Sequence, residues 1–175
     1  AMNSIVGNGA LIKKVYIPKY LLPIASVCSS LVNLLTSLIA LLFVIIITRT
    51  PITWTIFLIV IPIFYTWVFS LGLGMILCVI VTSFRDMQHL YSVLTTAWMY
   101  LTPIFYPLSM LPEAAAFVVK LNPLTQFVEM TRELILYHTL PSVLSHVYSI
   151  GVCSVVLLVG LYVFKKKQDG FILKL

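Results

Sequence analysis

Apolar runs free of any charge occupy 20–48, 50–84, 87–112 and 134–164, separated by short segments that carry Lys, Arg, Asp or Glu. One charged side chain at the centre of a membrane helix costs about 2.5 to 3.5 kcal/mol on an insertion scale, so such gaps mark where a chain can cross a bilayer. Transmembrane helices are expected at 21–48, 54–84, 90–106 and 143–164. The third is short, about 17 residues or ~26 Å at 1.5 Å per residue, and it ends among prolines. The turn at 49–51 is so brief that the first two helices should pack as an antiparallel pair. Within the second, Pro62 predicts a kink, while Ser70, Gly72 and Gly74 would let a neighbouring helix come close. A pore-lining use of these small residues stays open.

The stretch 101–132, LTPIFYPLSMLPEAAAFVVKLNPLTQFVEMTR, is apolar enough for a membrane yet holds Pro103, Pro107, Pro112 and Pro123. Each interior proline removes a backbone donor and costs roughly 3 kcal/mol in a helix. At membrane depth, broken backbone survives only inside protein or beside a water-filled cavity, so this segment points to a transport path. After Pro107 the chain divides at Asn122-Pro123 into two pieces too short to cross. A re-entrant helical hairpin over 108–138 on the outer side fits best; two helices lying flat in the headgroups are the alternative. Trp98, Tyr100, Phe105 and Tyr106 cluster beside the break. Interfacial belts explain such rings one at a time, whereas the cluster would equally suit stacking against sugar rings.

Ahead of the first span, 3–19 is amphiphilic rather than apolar. Leu11, Ile12, Val15 and Tyr16 recur near helical spacing, Lys13, Lys14 and Lys19 offer a basic face, Asn8 can cap a short helix and Pro18 stops it. It reads as an interfacial helix on anionic lipid or as a docking element for a cytoplasmic partner.

Composition agrees with the pattern: 61% of residues are hydrophobic and 9% charged, where soluble proteins carry about 25% charged residues. With four crossings, eight Lys and Arg, including the tail 165–175, share one side with both chain ends, and Arg49, Lys120 and Arg132 lie opposite. Positive-inside bias makes both ends cytoplasmic. The net charge of +6 is thus a topology signal. It is too divided among segments for nucleic acid. Cys28, Cys78 and Cys153 fall in three different spans without metal-ligand spacing, which suggests small packing residues. His89, His138 and His146 are dispersed, and no metal site is expected. No glycine opens a G-x-x-x-x-G-K-[ST] phosphate cradle, so the chain has no ATPase motif of its own. No nucleophile-base constellation suggests catalysis, and no acid inside a span suggests a proton relay. Energy for transport would have to come from elsewhere.

The ordered set LIKKVYIPKYLLP, FRDMQHLYSVLTTAWMYLTPIFYP, then LP, NPL, Arg132 and a basic tail resembles the membrane subunits of type-two ABC exporters. Within that family the chain looks most like the permeases for O-antigen, capsule and teichoic acid, polysaccharide and polyol-phosphate polymers. The resemblance implies an all-α integral membrane fold: four transmembrane helices, a re-entrant hairpin on the outer side and an N-terminal cytoplasmic coupling helix. It implies a homodimer in the bacterial inner membrane, paired with two cytoplasmic ATP-binding subunits and moving lipid-linked glycan outward. No cofactor would be bound directly; ATP and Mg would sit in the partner. By the same likeness, Leu11, Lys13, Lys14, Tyr16, Pro18 and Lys19 correspond to the ATPase-coupling region. Trp98, Tyr100, Pro103, Phe105, Tyr106, Pro107, Asn122, Pro123 and Arg132 correspond to the substrate path and gate. The family has an interfacial helix and two spans before the coupling region, so this sequence is expected to be the C-terminal part of such a permease. An exporter of drugs or small lipids, and a membrane scaffold without a path, remain the other readings.

Overall fold

The computed structural model describes residues 20–48, 54–83, 87–104, 112 and 119–167. Among the described residues there are helices and irregular segments and no strand. Helix α1 is Leu21–Ile47. A 3-10 helix, Trp54–Ile59, leads into α2, Val60–Ser83. Helix α3 is Met87–Leu101, α4 is Pro123–Ile135 and α5 is Val143–Lys167. By length and composition Leu21–Ile47, Trp54–Thr82 and Val143–Lys167 can cross a membrane.

Helix α3 differs from the expected 90–106. It has 15 residues, which is about 22 Å at 1.5 Å per residue against ~30 Å of hydrocarbon. Its early stop has a backbone cause: Pro103 has no N–H to give, and its ring biases Thr102 away from helical geometry. The Thr102 amide makes the last helical bond, 3.0 Å to the Trp98 carbonyl, and the Ile104 amide then closes tightly on the Thr102 carbonyl at 2.7 Å. Pro62, expected to kink the second span, falls in the first turn of α2 instead. There its missing donor would have lacked an α-helical partner anyway, and the change from 3-10 to α geometry lies just before it.

The pairings along the helices fix their directions. Leu22 and Ile24 of α1 pack with Met75, Cys78, Val79 and Phe164, whereas Leu34 to Leu41 face Ile59 to Ile63, so α1 and α2 are antiparallel. Down α2, Tyr65 meets His146, Gly72 meets Val156 and Gly160, and Met75 to Val79 meet Phe164. Residue numbers rise together, so α2 and α5 run parallel. Helix α3 runs back against α2, with Met87 to Leu94 beside Leu77 to Val81 and Trp98 beside Phe69. Helix α4 continues in the same sense: Leu124 and Phe127 pack at Phe69, and the Leu134 carbonyl accepts from the Thr55 hydroxyl at 2.9 Å. Helices α3 and α4 thus follow one another along α2, meeting partway up the bundle.

Two glycines make α2 and α5 the closest pair. A Cβ on Gly72 would lie 2.6 Å from the Val156 carbonyl oxygen, and one on Gly160 would strike the Gly72 carbonyl. Small residues at such crossings are how membrane helices gain packing contact without a hydrophobic drive. Ser149, Cys153 and Gly160 continue the buried stripe on α5. Cys78 and Cys153 are buried, Cys28 is half-buried, and all are free thiols. In contrast, Ser92 to Ala97 of α3 are exposed without interruption.

Gly72→Leu is expected to lower stability by about 3 kcal/mol, the upper end of overpacking costs, because backbone rather than a flexible side chain blocks the way. Gly151→Ala, where nothing lies within 4 Å, is the neutral control. Denaturant unfolding in detergent would measure both, and equal stability of the two variants would refute this packing.

Candidate functional site

The break after α3 and the start of α4 meet in a hydrogen-bonded cluster. Asn122 caps α4 in an extended conformation, accepting from the Leu124 amide at 3.1 Å, with Pro123 opening the helix. That arrangement suits the sequence, since Asn is a strong N-cap and Pro lacks a donor that the first turn could not have used. The same Asn122 Oδ1 accepts from Trp98 Nε1 at 3.1 Å, and its Nδ2 donates to the Thr102 hydroxyl at 3.0 Å. Thr102 in turn donates to the Trp98 carbonyl at 3.0 Å. Asn122 and Thr102 are buried, 7% and 3% exposed. A buried amide with both ends engaged is rigidly oriented, because losing any partner would strand a polar atom.

Arg132, almost three turns along α4, reaches the same break. Its Nη2 donates to the carbonyls of Pro103, at 2.6 Å, and Ile104, at 2.9 Å, while Nη1 pairs with Glu129 at 2.8 Å. The carbonyls freed when α3 stops therefore receive a cation, which also suits the negative end of the α3 dipole. Helix α4 ends in a turn that passes through His138 at φ 52°, with the Thr139 amide returning to the Glu133 carbonyl at 3.0 Å.

Next to this cluster a cleft of about 690 Å³ opens between α1, α2, α3 and α4. Leu38, Pro62, Met99 and Phe127 make its wall largely apolar, and Thr102 and Arg132 lie on that wall. Near the N-terminal ends of α2 and α5, the Tyr65 hydroxyl and His146 Nδ1 are 3.2 Å apart. Among the described residues no His, Cys, Asp and Glu group could hold a metal ion.

Trp98, Pro103, Asn122, Pro123 and Arg132 thus come together. Tyr100 points elsewhere, 68% exposed on another face of α3. Phe105, Tyr106 and Pro107, and the coupling residues Leu11, Lys13, Lys14, Tyr16, Pro18 and Lys19, lie outside the described residues. Sequence reading missed Thr102. Its signal was present as spacing, since Thr102 stands four residues after Trp98 on a shared helical face. The spacing of Glu129, three residues before Arg132, was legible in the sequence, and the two side chains pair.

Residues 1–136 match the family described as ABC-2 type transporter. The chain is 30% identical over 177 residues to the O-antigen export system permease protein RfbA of Myxococcus xanthus, covering 95% of this chain and 68% of that protein. It is 28% identical over 173 residues to a Klebsiella pneumoniae protein of the same name, covering 96% and 65% respectively. It therefore spans about two thirds of the length of these relatives.

Asn122→Ala should cost about 2 kcal/mol, since it removes the cap and leaves two buried donors or acceptors without partners. Asn122→Asp keeps both acceptor contacts and should cost less; thermal unfolding followed by Trp fluorescence would rank them, and equal losses would deny the cap its role.

Proposed function

The chain belongs to the ABC-2 type transporter family, and on that premise we propose that it is the membrane-spanning subunit of an ATP-driven exporter of lipid-linked polysaccharide. The likeness over 95% of the chain to an O-antigen export permease carries the reading. Membership implies an ATP-driven partner, so ATP and Mg belong to that subunit rather than to this one. The proposed assembly is two copies of the permease with two ATP-binding subunits in the bacterial inner membrane.

In this reading the chain makes four crossings. Because α2 and α5 are parallel, the residues between Ser83 and Val143 must cross an odd number of times. Helix α3 alone is too short, and α4 continues its direction, so the third crossing is shared between them. Helix α4 is then the returning arm of the re-entrant outer segment 108–138. The basic last turn of α5, with Lys165, Lys166 and Lys167, marks the cytoplasmic end. The starts of α1 and α3 and the end of α2 are at that same end.

Broken backbone in the middle of a crossing is how transporters place a path at membrane depth. Trp98 beside the break, with Tyr100, Phe105 and Tyr106, would offer ring faces to sugars passing outward. Lys13, Lys14 and the apolar residues Leu11 and Tyr16 would receive the ATPase.

Depleting the full-length gene should strip glycan from the cell surface and accumulate its lipid-linked precursor inside. Unchanged surface glycan together with resistance to a drug lost on depletion would favour the drug-exporter reading. In the full-length protein, Lys13→Glu with Lys14→Glu should reduce export roughly tenfold or more while the permease still inserts, as expected when a drive is no longer positioned. Normal export would remove the coupling role from this segment.

A further inference from the structure

The base of α3 rests on Leu77 to Val81 of α2 around a cavity of about 100 Å³, and Ser92 to Ala97 above it are exposed. The larger cleft separates the helix from α1. Its outer end is held very differently. Trp98, Thr102, Pro103 and Ile104 all bond to Asn122 or Arg132, at 2.6 to 3.1 Å. The polar attachment of α3 is therefore concentrated at its outer end, on Asn122 and Arg132.

We propose that Arg132 and Asn122 are positioning residues for transport, joining the outer end of α3 to α4 so that displacement of α3 at its cytoplasmic base moves α4 as one body. This rests on the exporter reading above. The two residues divide the task. Asn122 bridges side chain to side chain and fixes the start of α4. Arg132 binds the backbone itself, so the break cannot drift from α4 without parting two carbonyls from their guanidinium. Glu129 holds the guanidinium from its other edge and sets its plane toward the carbonyls. An ion pair to a lipid phosphate or a substrate would compete with this geometry, because the inward and lateral donors of Arg132 are already engaged. Helix α4 packs on α2 and α5 largely through side chains such as Phe127, Met130 and Leu134, with polar contacts from Thr55 to the Leu134 carbonyl and from Ser149 to Met130. A shear of α4 over that surface breaks fewer polar contacts than parting α4 from α3.

The test uses the full-length permease with its ATP-binding subunit in lipid vesicles, reading ATP hydrolysis and glycan export side by side. Arg132→Gln is expected to hydrolyse ATP near the wild-type rate but to export roughly tenfold less or worse, with Arg132→Lys between the two. A merely structural role would lower both activities together and overturn the proposal, as would unchanged export in Arg132→Gln. A second protein keeps the question open to decision if that variant does not fold. Thr102→Cys with Asn122→Cys, in a background with Cys28, Cys78 and Cys153 replaced by Ala, exchanges the hydrogen bond for a short covalent tether. Export should be weak when the tether is reduced and should recover when it is closed. Closure that blocks export would mean α3 and α4 separate during transport, and full activity when reduced would mean the link is dispensable; either result overturns the joined-body proposal. Failure of the wild-type protein to bind any ATP-binding subunit would instead sink the exporter reading and this proposal with it, an outcome distinct from the others.

Discussion

Backbone carbonyls cannot be left unpaired inside a membrane bundle, and Pro103 forces that condition on the chain at the end of α3. Without an amide at Pro103 the helix stops, and the carbonyls of Pro103 and Ile104 lie just beyond its last turn. Water would satisfy them at the surface. Beside Trp98 and Phe69 the neighbouring groups are mostly apolar, so the chain supplies its own donor in Arg132. Placing Arg132 there requires α4 to lie along the break, and its N-terminus must in turn be capped where it lies. Asn122 does both, capping α4 and reaching Trp98 and Thr102. The position of the second half-helix thus follows from the chemistry of one proline.

The α2 and α5 pair sets the frame in which that break sits. Backbone contact at Gly72 and Gly160 leaves no space for a side chain, and dispersion over such a surface is the main attraction available between apolar helices in lipid. Their parallel direction has a topological consequence. On the proposed four-crossing topology, the connection between these parallel helices must itself return across the bilayer, and the helices described within it, Met87–Leu101 and Pro123–Ile135, have 15 and 13 residues. Neither length suffices alone, so that proposal shares the crossing between them.

Much of this was legible in the sequence because lipid imposes a strong rule on composition. The absence of charge located α1, α2 and α5 closely, and the prolines announced a break in the helix that follows α2. The stopping point was misplaced at Tyr106 because hydropathy continues smoothly through Thr102-Pro103, whereas the decisive event is one missing N–H. Gly72 could be read as a close-approach residue, but its partner could not, since Gly160 is 88 residues away and no local pattern joins them. The same holds for Arg132. The family resemblance assigned it to the path and gate, but only the fold brings it to carbonyls 28 and 29 residues earlier.

The two kinds of contact divide the bundle into parts with different mechanical character. Helices α2 and α5 interlock through backbone, so sliding or rotating one against the other meets steric resistance at Gly72 and Gly160. Helix α3 has no such contact among the described residues; what holds it is directional and concentrated at one end. Hydrogen bonds to a guanidinium and a buried amide strengthen as the surroundings lose water, so this attachment is firmest when the junction is enclosed by protein. If water enters the junction, the carbonyls and Asn122 gain other partners and the attachment weakens. The hydration of the cleft and the rigidity of the α3 and α4 connection are therefore physically linked.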